Sequence, residues 1–503
     1  MSGKALQLLG LPAPIRNPEG IQMCREIFIE TNFNIDELTA FVSQNEPILV
    51  PDQRDAYNYI LSFSETNKGG IVFLDAPGGT GKTFVINLLL AKFRQQKKIA
   101  LAVASSGIAA TLIKGGRTAH STFKLPLNLS HSDSPVCNIA KGSALAKLLQ
   151  KCSAIIWDEC TMSHKRALEA VDRLLQDLRS NKYIMGGVVV VLAGDFRQTL
   201  PVIPRSTPAD ELNACLKASY LWRKVKKMSL NTNMRFYMTG DVSSQLFSSQ
   251  LLTIGDGKAP VNSTTGQITF PSNFCCIVTS IEELKAKVFP NIELHLKNSD
   301  WLCERAILAP KNDSVNKINL QILNLLPGVC TTYKSVDTVL DPAQALFYPT
   351  EFLNSLEPQR LPPHNLFLKP GAPILLLRNL DPPNLCNGTR LLIKNLFPHV
   401  IEATILTGCA TGEDVFIPTI PLIPSDLPFD FKRLQFPVRL AFAMSIKKAQ
   451  GQSLKVVGID LQSPYFSHGQ LYVACSTVGA AKNLLIFAPE GKIKNVVYQK
   501  ALE

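Results

Sequence analysis

Short apolar runs alternate with segments of helical periodicity between about residue 50 and residue 230. The runs IVFL, IALAVA, AIIW and VVVVLAG are brief and rich in Val, Ile and Leu, which is typical of buried strands. Between two of these runs, the segment KRALEAVDRLLQDLR carries apolar positions three and four residues apart, which predicts an amphipathic helix. This alternation predicts a parallel sheet flanked by helices, which is an α/β fold.

The second half of the chain changes character twice. The segment ERAILAPKNDSVNKINLQIL, from Glu304, predicts a strand, a loop and a helix that open a second α/β unit. Residues 360–435 are rich in proline and contain short runs such as PILLLRNL and RLLIKNL, which predict a small all-β insertion. Strand character returns in KVVGIDL, from Lys455, and in LLIFAPE, from Leu484.

A glycine-rich turn, DAPGGTGKT, follows the first apolar run and precedes a helical pattern. Backbone N–H groups in such a turn, together with a helix N-terminus, point at phosphate groups. Lys82 would reach the β- and γ-phosphates of a nucleoside triphosphate, and the Thr83 hydroxyl would ligate Mg²⁺. Ala76 replaces the first glycine of the common pattern by a residue that is almost as small. Strand, turn and helix in this order predict a P-loop.

Polar side chains end further strands of the predicted sheet. Asp158 and Glu159 follow IIW, where one carboxylate can hold Mg²⁺ and the other can orient or deprotonate water. Gln198 could hydrogen-bond the γ-phosphate, and Arg235 carries a planar cation suited to phosphate charge. An acidic pair by itself is usually a solvated strand end, and a lone arginine is usually a surface residue. Beside a P-loop, the acidic pair is better interpreted as catalytic.

Composition narrows the class of protein. The chain of 503 residues has 52 basic and 40 acidic side chains, and its net charge of +12 suits either a polyanion partner or a merely basic soluble enzyme. No apolar run approaches the roughly 20 residues of a membrane span, and the N-terminus lacks the apolar core of a signal peptide, so no membrane partner is expected. The 12 cysteines are scattered without a C-x-x-C pair, which argues against a zinc site or a disulfide framework.

Eight motifs occur in the order found in superfamily 1 helicases. They are DAPGGTGKT, SSGIAATLIKGGRTAHSTF, IIWDE, GDFRQTLPVIP, NMR, LRNLDPPNLCNGTRL, FAMSIKKAQGQSL and SHGQLYVACS. The set covers roughly residues 45–490 and most closely resembles the Pif-type (petite integration frequency) DNA helicases. The phrases LCNGTRL, GQLYVACS and PDQRDAYNYIL also resemble the helicase region of Helitron rolling-circle transposons.

The resemblance implies an α/β fold of two RecA-like P-loop NTPase domains with ATP between them and a small all-β, SH3-like insertion in the second. The expected parts are an N-terminal lead-in (1–44), the first RecA-like domain (45–235), the second in two pieces (236–355 and 436–495), the insertion (356–435) and a tail (496–503). The resemblance further implies a helicase that uses ATP to move 5′→3′ along single-stranded DNA and also binds forked or duplex DNA. It also implies a monomeric protein in the nucleus. The family's roles in DNA repair, recombination and telomere maintenance would follow.

The resemblance also assigns roles to individual residues. ATP binding falls to Gln53, which would read the adenine, and to Gly78, Gly79, Thr80, Gly81, Lys82 and Thr83. The catalytic set is Lys82, Asp158, Glu159, Gln198 as γ-phosphate sensor and Arg235 as a contact to the transition state, with Thr83 and Asp158 on Mg²⁺. The residues expected to contact DNA are Ser105, Ser106, His120, Thr122, Ser445, Lys447, Lys448 and Gln450.

The match departs from the family at Thr477, where an arginine normally follows the serine of VACS. In the family, that arginine is an arginine finger, which extends from the second domain to the γ-phosphate. Arginine fingers increase the rate of hydrolysis by about 10³–10⁵-fold. Two interpretations stay open: weakened coupling in a degraded transposon copy or a sequence variant, or slow turnover supported by Arg235. The chain also shows no paired tyrosines or histidine cluster for DNA cleavage, so it is expected to be at most the motor portion of a Helitron-like protein.

Three functions compete at this point. The first is a DNA helicase, and the second is an ATP-binding protein that grips single-stranded DNA without unwinding it, which Thr477 favours. The third is a small-molecule kinase or a GTPase. A GTPase should show N-K-x-D for guanine, which is not found, and a kinase has no need of the later motifs.

Overall fold

The computed structural model describes residues 26–503 apart from 67, 127–128, 130–131, 204–205, 272, 342, 344–345, 359–360, 383, 425–426 and 490–492. The side chains at 235, 236 and 239 also lie outside the described part. Two parallel sheets, each with helices on both faces, form two α/β units, and an antiparallel β region belongs to the second.

The first unit contains a six-stranded sheet built from Gly70–Asp75 (β1), Ile99–Ala104 (β2), Arg117–Thr118 (β3), Cys152–Asp158 (β4), Val189–Gly194 (β5) and Val225–Ser229 (β6). The order in the sheet is β3-β2-β4-β5-β1-β6, and neighbouring strands are parallel. The helices are Ile35–Asn45, Pro51–Glu65, Lys82–Gln95, Gly107–Thr111, Ala119–Phe123, Ala144–Lys151, Lys165–Leu178, Pro208–Ala214 and Met234–Thr239. The predicted parallel sheet and the amphipathic helix from Lys165 are confirmed.

Alternate residues of the central strands enter two separate cores. In β1, Ile71 and Phe73 pack into one core, whereas Val72 and Leu74 pack into the other on the opposite face. Successive side chains of a strand point to opposite faces, so a continuous apolar run is needed where helices cover both sides. The uninterrupted runs of the sequence therefore correspond to a sheet with no solvated face at its centre.

The second unit repeats this arrangement with five parallel strands. In sheet order they are Ala443–Ser445, Arg305–Ala309, Val456–Asp460, Leu484–Phe487 and Cys276–Val278. The helices of this unit are Val242–Gly255, Ile281–Val288, Ser299–Cys303, Asn312–Leu325, Ile446–Ala449 and Gln470–Ser476, and the last helix of the chain, Gln499–Leu502, follows them. The strand, loop and helix predicted from Glu304 are confirmed, as are the two late strands.

An antiparallel region between residues 331 and 440, here called the β extension, is inserted in the second unit. Its five-stranded sheet comprises, in sheet order, Asp414–Pro418, Val400–Ile405, Arg390–Leu396, Pro373–Leu376 and Val438–Leu440. A three-stranded sheet comprises Val336–Val339, Phe431–Gln435 and Ile420–Leu422, a two-stranded sheet pairs Thr331–Lys334 with Asn365–Leu368, and the helix is Thr350–Ser355. The predicted β character is confirmed, and pairing reaches beyond 356–435 at both ends.

A buried ion pair holds the β extension together. Arg433 and Asp337 are fully buried, and the guanidinium Nη2 lies 2.6 Å from a carboxylate oxygen of Asp337. The remaining donors of Arg433 bond the carbonyls of Leu353, Leu356 and Pro362. A buried charge is tolerated when it is paired and its other donors are satisfied, as here.

Asp337→Ala is expected to lower the free energy of unfolding by about 3–5 kcal/mol, because it leaves the Arg433 charge buried without its carboxylate. Urea denaturation followed by circular dichroism measures this loss. The matched control is Asp414→Ala, which removes an exposed carboxylate 2.7 Å from Lys394 and should leave stability close to wild type. Equal midpoints for the two variants would contradict the expectation.

The last residues of the chain return from the second unit to the first. Ala501 is fully buried in a core of the first unit, and Lys217 Nζ donates to the carbonyl of Leu502 at 2.9 Å. Residues 496–503, which the sequence suggested to be a tail, thus pack onto the first sheet. Of the helices described, none is both long and apolar enough to cross a membrane.

Candidate functional site: a nucleotide cleft between two units

The phosphate-binding turn lies between the end of β1 and the helix Lys82–Gln95. Gly81 caps this helix with a left-handed backbone (φ 80°) and no side-chain cap, so the first N–H groups of the helix are not bonded by a capping side chain. A Cβ at Gly81 would lie 2.6 Å from Gln53 Nε2, and its φ also favours glycine. Both constraints explain the residue, and the predicted strand, turn and helix are confirmed.

Lys82 contacts both members of the predicted acidic pair. Its ammonium lies 2.6 Å from Asp158 Oδ1 and also bonds Glu159 Oε1. Burial by itself would lower the pKa of Lys82, but the two carboxylates outweigh it and raise the pKa. Burial likewise raises the pKa of Asp158 despite the adjacent ammonium. A bound triphosphate would compete with these carboxylates for Lys82.

The surrounding cleft has a volume of about 310 Å³ and is lined by the glycine turn, Lys82 and the acidic pair, groups of the kind that would hold a triphosphate and Mg²⁺. Two glutamines have buried Oε1 atoms with no partner among the described residues: Gln198, which lines the cleft, and Gln53, whose Nε2 donates to the Thr80 carbonyl at 2.9 Å. Such orphaned acceptors suit donors on a ligand, for instance an adenine amino group or a water. Thr83 and Asp158 also line the cleft, and Mg²⁺ is usually held by one or two carboxylates plus phosphate oxygens.

A hydrogen-bonded carboxylate brings the segment LNTNMR beside the turn. Asp52 accepts from the backbone N–H groups of Asn231 and Thr232 at 2.7 and 2.8 Å. Burial would raise the pKa of Asp52, but these bonds lower it. The Met234 N–H then donates to the Gly79 carbonyl at 2.9 Å. Arg235 is the next residue, and its side chain, the predicted transition-state contact, lies outside the described residues.

The second unit supplies the opposite wall of the cleft. Its lining residues are Gln450, Gly451, Gln452, Ser453, Val473, Ser476 and Thr477. Thr477 is buried, and its hydroxyl donates within its own helix to the Ala474 carbonyl at 2.7 Å. The position where the family has its arginine therefore faces the same cleft as Lys82.

Tyr472 joins the two units next to the turn. Its hydroxyl donates to Asp195 Oδ2 at 2.8 Å and accepts from the Gly78 N–H at 3.5 Å. The helix Gln470–Ser476, which carries Tyr472, comes this close to the first unit because a glycine precedes it. Gly469 has φ 71°, and a Cβ at this position would lie 2.3 Å from the Arg197 carbonyl oxygen. Sequence reasoning gave Tyr472 no role, since in QLYVACS it looks like one more apolar core position.

In the first unit, the four predicted DNA-contacting side chains differ in how exposed they are to solvent. Ser105 accepts from Trp157 Nε1 at 2.9 Å, and Ser106 caps the helix that follows it. Thr122 is buried and donates to a backbone carbonyl one turn earlier at 3.1 Å. His120 is exposed. Of these four, His120 is the side chain most accessible to a strand.

In the second unit, the predicted DNA-contacting residues divide between two places. Ser445 and Lys448 line a cleft of about 400 Å³ between the second sheet and the β extension. Burial and the nearby Arg439 lower the pKa of Lys448 to about 8, and burial also lowers the pKa of Lys447. Gln450, in contrast, is buried in the nucleotide cleft.

Two family models match the chain. The model described as PIF1-like helicase matches residues 48–265, and the model described as DNA helicase Pif1, 2B domain, matches residues 351–396. The first range contains the phosphate-binding turn and the acidic pair, and the second lies in the β extension.

Curated relatives agree with the family models. The chain is 26% identical over 439 residues to the ATP-dependent DNA helicase PIF1 of Danio rerio, covering 87% of this chain and 61% of that protein. It is 25% identical over 474 residues to the ATP-dependent DNA helicase Pif1 of Psychrobacter, covering 84% and 66%. It is 28% identical over 437 residues to the Campylobacter jejuni ATP-dependent DNA helicase Pif1, covering 83% and 88%. The chain thus spans less than two thirds of the first two proteins.

Solved structures share the fold. Pif1 helicase from Candida albicans superposes with a TM-score of 0.63 at 22% identity, covering 90% of this chain and 97% of that chain. Pif1 helicase from Bacteroides, in complex with ADP-AlF3 and single-stranded DNA, gives a TM-score of 0.62 at 21% identity, with 89% and 94% covered. The two α/β units are therefore RecA-like, and this chain belongs to the PIF1-like helicase family.

Proposed function

We propose that this protein is an ATP-dependent DNA helicase that moves 5′→3′ along single-stranded DNA. The observation that carries the proposal is that side chains from both units line the cleft containing Lys82 and the acidic pair. A nucleotide in such a cleft can change how the two units sit together as it is bound and cleaved. The names of the relatives, all ATP-dependent DNA helicases, support the same activity.

Each catalytic side chain has a distinct task in the proposed reaction. Lys82 moves from the carboxylates to the β- and γ-phosphates, which frees Glu159. Glu159 then takes a proton from a water molecule while the oxygen of that water bonds the γ-phosphorus. The bond from this phosphorus to the β–γ bridging oxygen breaks, and ADP and phosphate leave. Gln198 bonds the γ-phosphate through its side-chain amide. Mg²⁺, on Thr83 and Asp158, would neutralise phosphate charge.

The strand would be gripped by segments of both units, which contribute the residues expected to contact DNA. Cleavage that changes the fit between the units moves one set of contacts relative to the other, and repetition gives stepping. We further propose single-stranded and forked or duplex DNA as partners, a monomeric nuclear enzyme, and roles in repair, recombination and telomere maintenance. The SH3-like character of the β extension and the Helitron likeness belong to this proposal.

The decisive experiment measures phosphate release with and without a single-stranded oligonucleotide. The oligonucleotide is expected to raise the rate of ATP hydrolysis. Lys82→Ala is expected to abolish ATP hydrolysis, because the ammonium group that contacts the phosphates is lost. Lys92→Ala is the matched control, since Lys92 lies in the same helix and pairs with Glu46 at 3.2 Å, away from the cleft. Hydrolysis that is indifferent to the oligonucleotide would contradict a motor function.

Thr477 favours a second candidate function, an ATP-binding protein that holds single-stranded DNA without separating strands. In that case ATP binds because the P-loop and acidic pair are intact, while the cleft gains no cation from position 477. A forked duplex with a fluorescent strand separates the two candidates. Binding and hydrolysis without strand release favour the second, and ATP-dependent release favours the helicase.

A further inference from the structure

Gln450 connects the second unit to the first through both ends of its side-chain amide. Its Nε2 donates to Glu159 Oε2 at 2.7 Å, and its Oε1 accepts a hydrogen bond from the Thr199 hydroxyl. The residue is buried, and it follows the short helix Ile446–Ala449 of the second unit. An amide bonded at both ends has one orientation, so Gln450 presents a donor to Glu159.

The two carboxylate oxygens of Glu159 have different partners. Lys82 bonds Oε1, and Gln450 bonds Oε2. The backbone of Glu159 is also fixed: it has φ 49°, a left-handed conformation uncommon outside glycine, and its N–H donates to Asp158 Oδ1 at 2.8 Å. A non-glycine residue in this conformation persists where the surroundings hold it, often at functional sites. When Lys82 turns to a triphosphate, Oε2 stays held and Oε1 becomes available.

We propose that Gln450 is a positioning residue for ATP hydrolysis, which the second unit supplies to orient Glu159. It holds Oε2 and so leaves Oε1 as the oxygen that takes the proton from the attacking water. This role deepens the proposed function and rests on it. It also differs from the DNA contact that the resemblance suggested for Gln450, because the amide is buried against two side chains of the first unit.

The origin of Gln450 in the second unit makes this orientation depend on how the units fit together. Ser445, Lys447 and Lys448, the predicted DNA contacts, directly precede it in the same short segment. A strand that shifts this segment also shifts the amide, and a general base displaced from its water loses rate steeply. Gln450 therefore links strand occupancy to the hydrolytic step rather than to ATP binding.

The test is steady-state ATP hydrolysis at saturating single-stranded oligonucleotide, together with oligonucleotide binding by fluorescence anisotropy. Gln450→Met keeps the side-chain length but removes both hydrogen bonds, and kcat is expected to fall about 10- to 100-fold. The KM for ATP and the oligonucleotide affinity are expected to stay near wild type, which marks a loss confined to the transition state. Gln450→Glu, which places a second carboxylate beside Glu159, is expected to be at least as slow.

Thr199→Val provides an independent variant, since it releases only the Oε1 end of Gln450. It should lower kcat in the same direction but less, and the double variant should be no slower than Gln450→Met because both changes act through one contact. Gln462→Met, at an exposed glutamine of the second unit, is the control expected to match wild type.

Two outcomes would overturn the positioning role alone. One is an active wild type with an unchanged kcat in Gln450→Met, and the other is weaker oligonucleotide binding with kcat preserved at saturation, which is the behaviour of a DNA contact. A wild type that lacks DNA-stimulated hydrolysis would instead overturn the proposed function, and this role with it.

Discussion

Glu159→Gln is expected to reduce DNA-stimulated ATP hydrolysis by about 10²–10⁴-fold, the usual contribution of a positioned general base. A glutamine amide cannot take the proton from water, although it fits the same space. ATP should still bind, because Lys82 and the glycine turn are untouched and one of the two carboxylates competing for Lys82 loses its charge. Phosphate release measures the rate, and a fluorescent ATP analogue measures the binding.

Glu169→Gln is the matched control for this change. Glu169 is a buried glutamate of the same unit that accepts from the Ser219 hydroxyl at 2.7 Å and lies outside the nucleotide cleft. Its variant should hydrolyse ATP at close to the wild-type rate. If Glu159→Gln were as active as this control, Glu159 would not be the proton acceptor, and the positioning role of Gln450 would lose its basis.

The parts of the site that the sequence predicted are encoded over short distances. The strand, glycine turn and helix around Lys82 follow one another within 26 residues, from Gly70 to Gln95, and local periodicity specifies each. The acidic pair and Gln198 were found for the same reason, since they lie at or shortly after the end of an apolar strand. In open α/β sheets the carboxyl ends of strands meet at one edge, so the convergence of these residues could be expected from the sequence alone.

The contacts between units could not be predicted in this way. Gln450 meets Glu159 across 291 positions of the sequence, and Tyr472 meets Asp195 across 277. Periodicity reports which face of an element is apolar, but not which polar atom of another unit lies opposite. The family motif predicted that Gln450 contacts DNA. In the structure, its side-chain amide instead donates a hydrogen bond to the carboxylate of Glu159.

The edges of the β extension escaped prediction for a related reason. Val336–Val339 pairs with Phe431–Gln435, which lies almost 100 residues later. The carboxylate of Asp337 meets Arg433 in the same pairing. From sequence alone, a charged residue in a short strand is predicted to be exposed to solvent. Only the position of the partner strand shows that its charge is buried and paired. Composition alone therefore placed the start of the insertion later than the strand pairing does.

Thr477→Arg is expected to raise DNA-stimulated ATP hydrolysis by at least about tenfold, since arginine fingers contribute about 10³–10⁵ in rate. Among the residues that the structure describes, the substitution breaks no bond between the units. The Thr477 hydroxyl bonds the Ala474 carbonyl one turn earlier, and the Thr477 carbonyl, which accepts from the Leu454 N–H at 2.8 Å, is retained. The cleft beside it, of about 310 Å³, offers room for a longer side chain that reaches toward Lys82 and Gln198.

Thr477→Met separates the charge of the new side chain from its bulk, because methionine fills similar space without a cation. Phosphate release at saturating oligonucleotide should rise for the arginine variant and not for the methionine variant. A parallel rise in strand release from a forked duplex would show that the restored cation also couples hydrolysis to unwinding. If the arginine variant hydrolyses ATP no faster than wild type, position 477 does not limit turnover, and catalysis in this chain proceeds without a finger from its second unit.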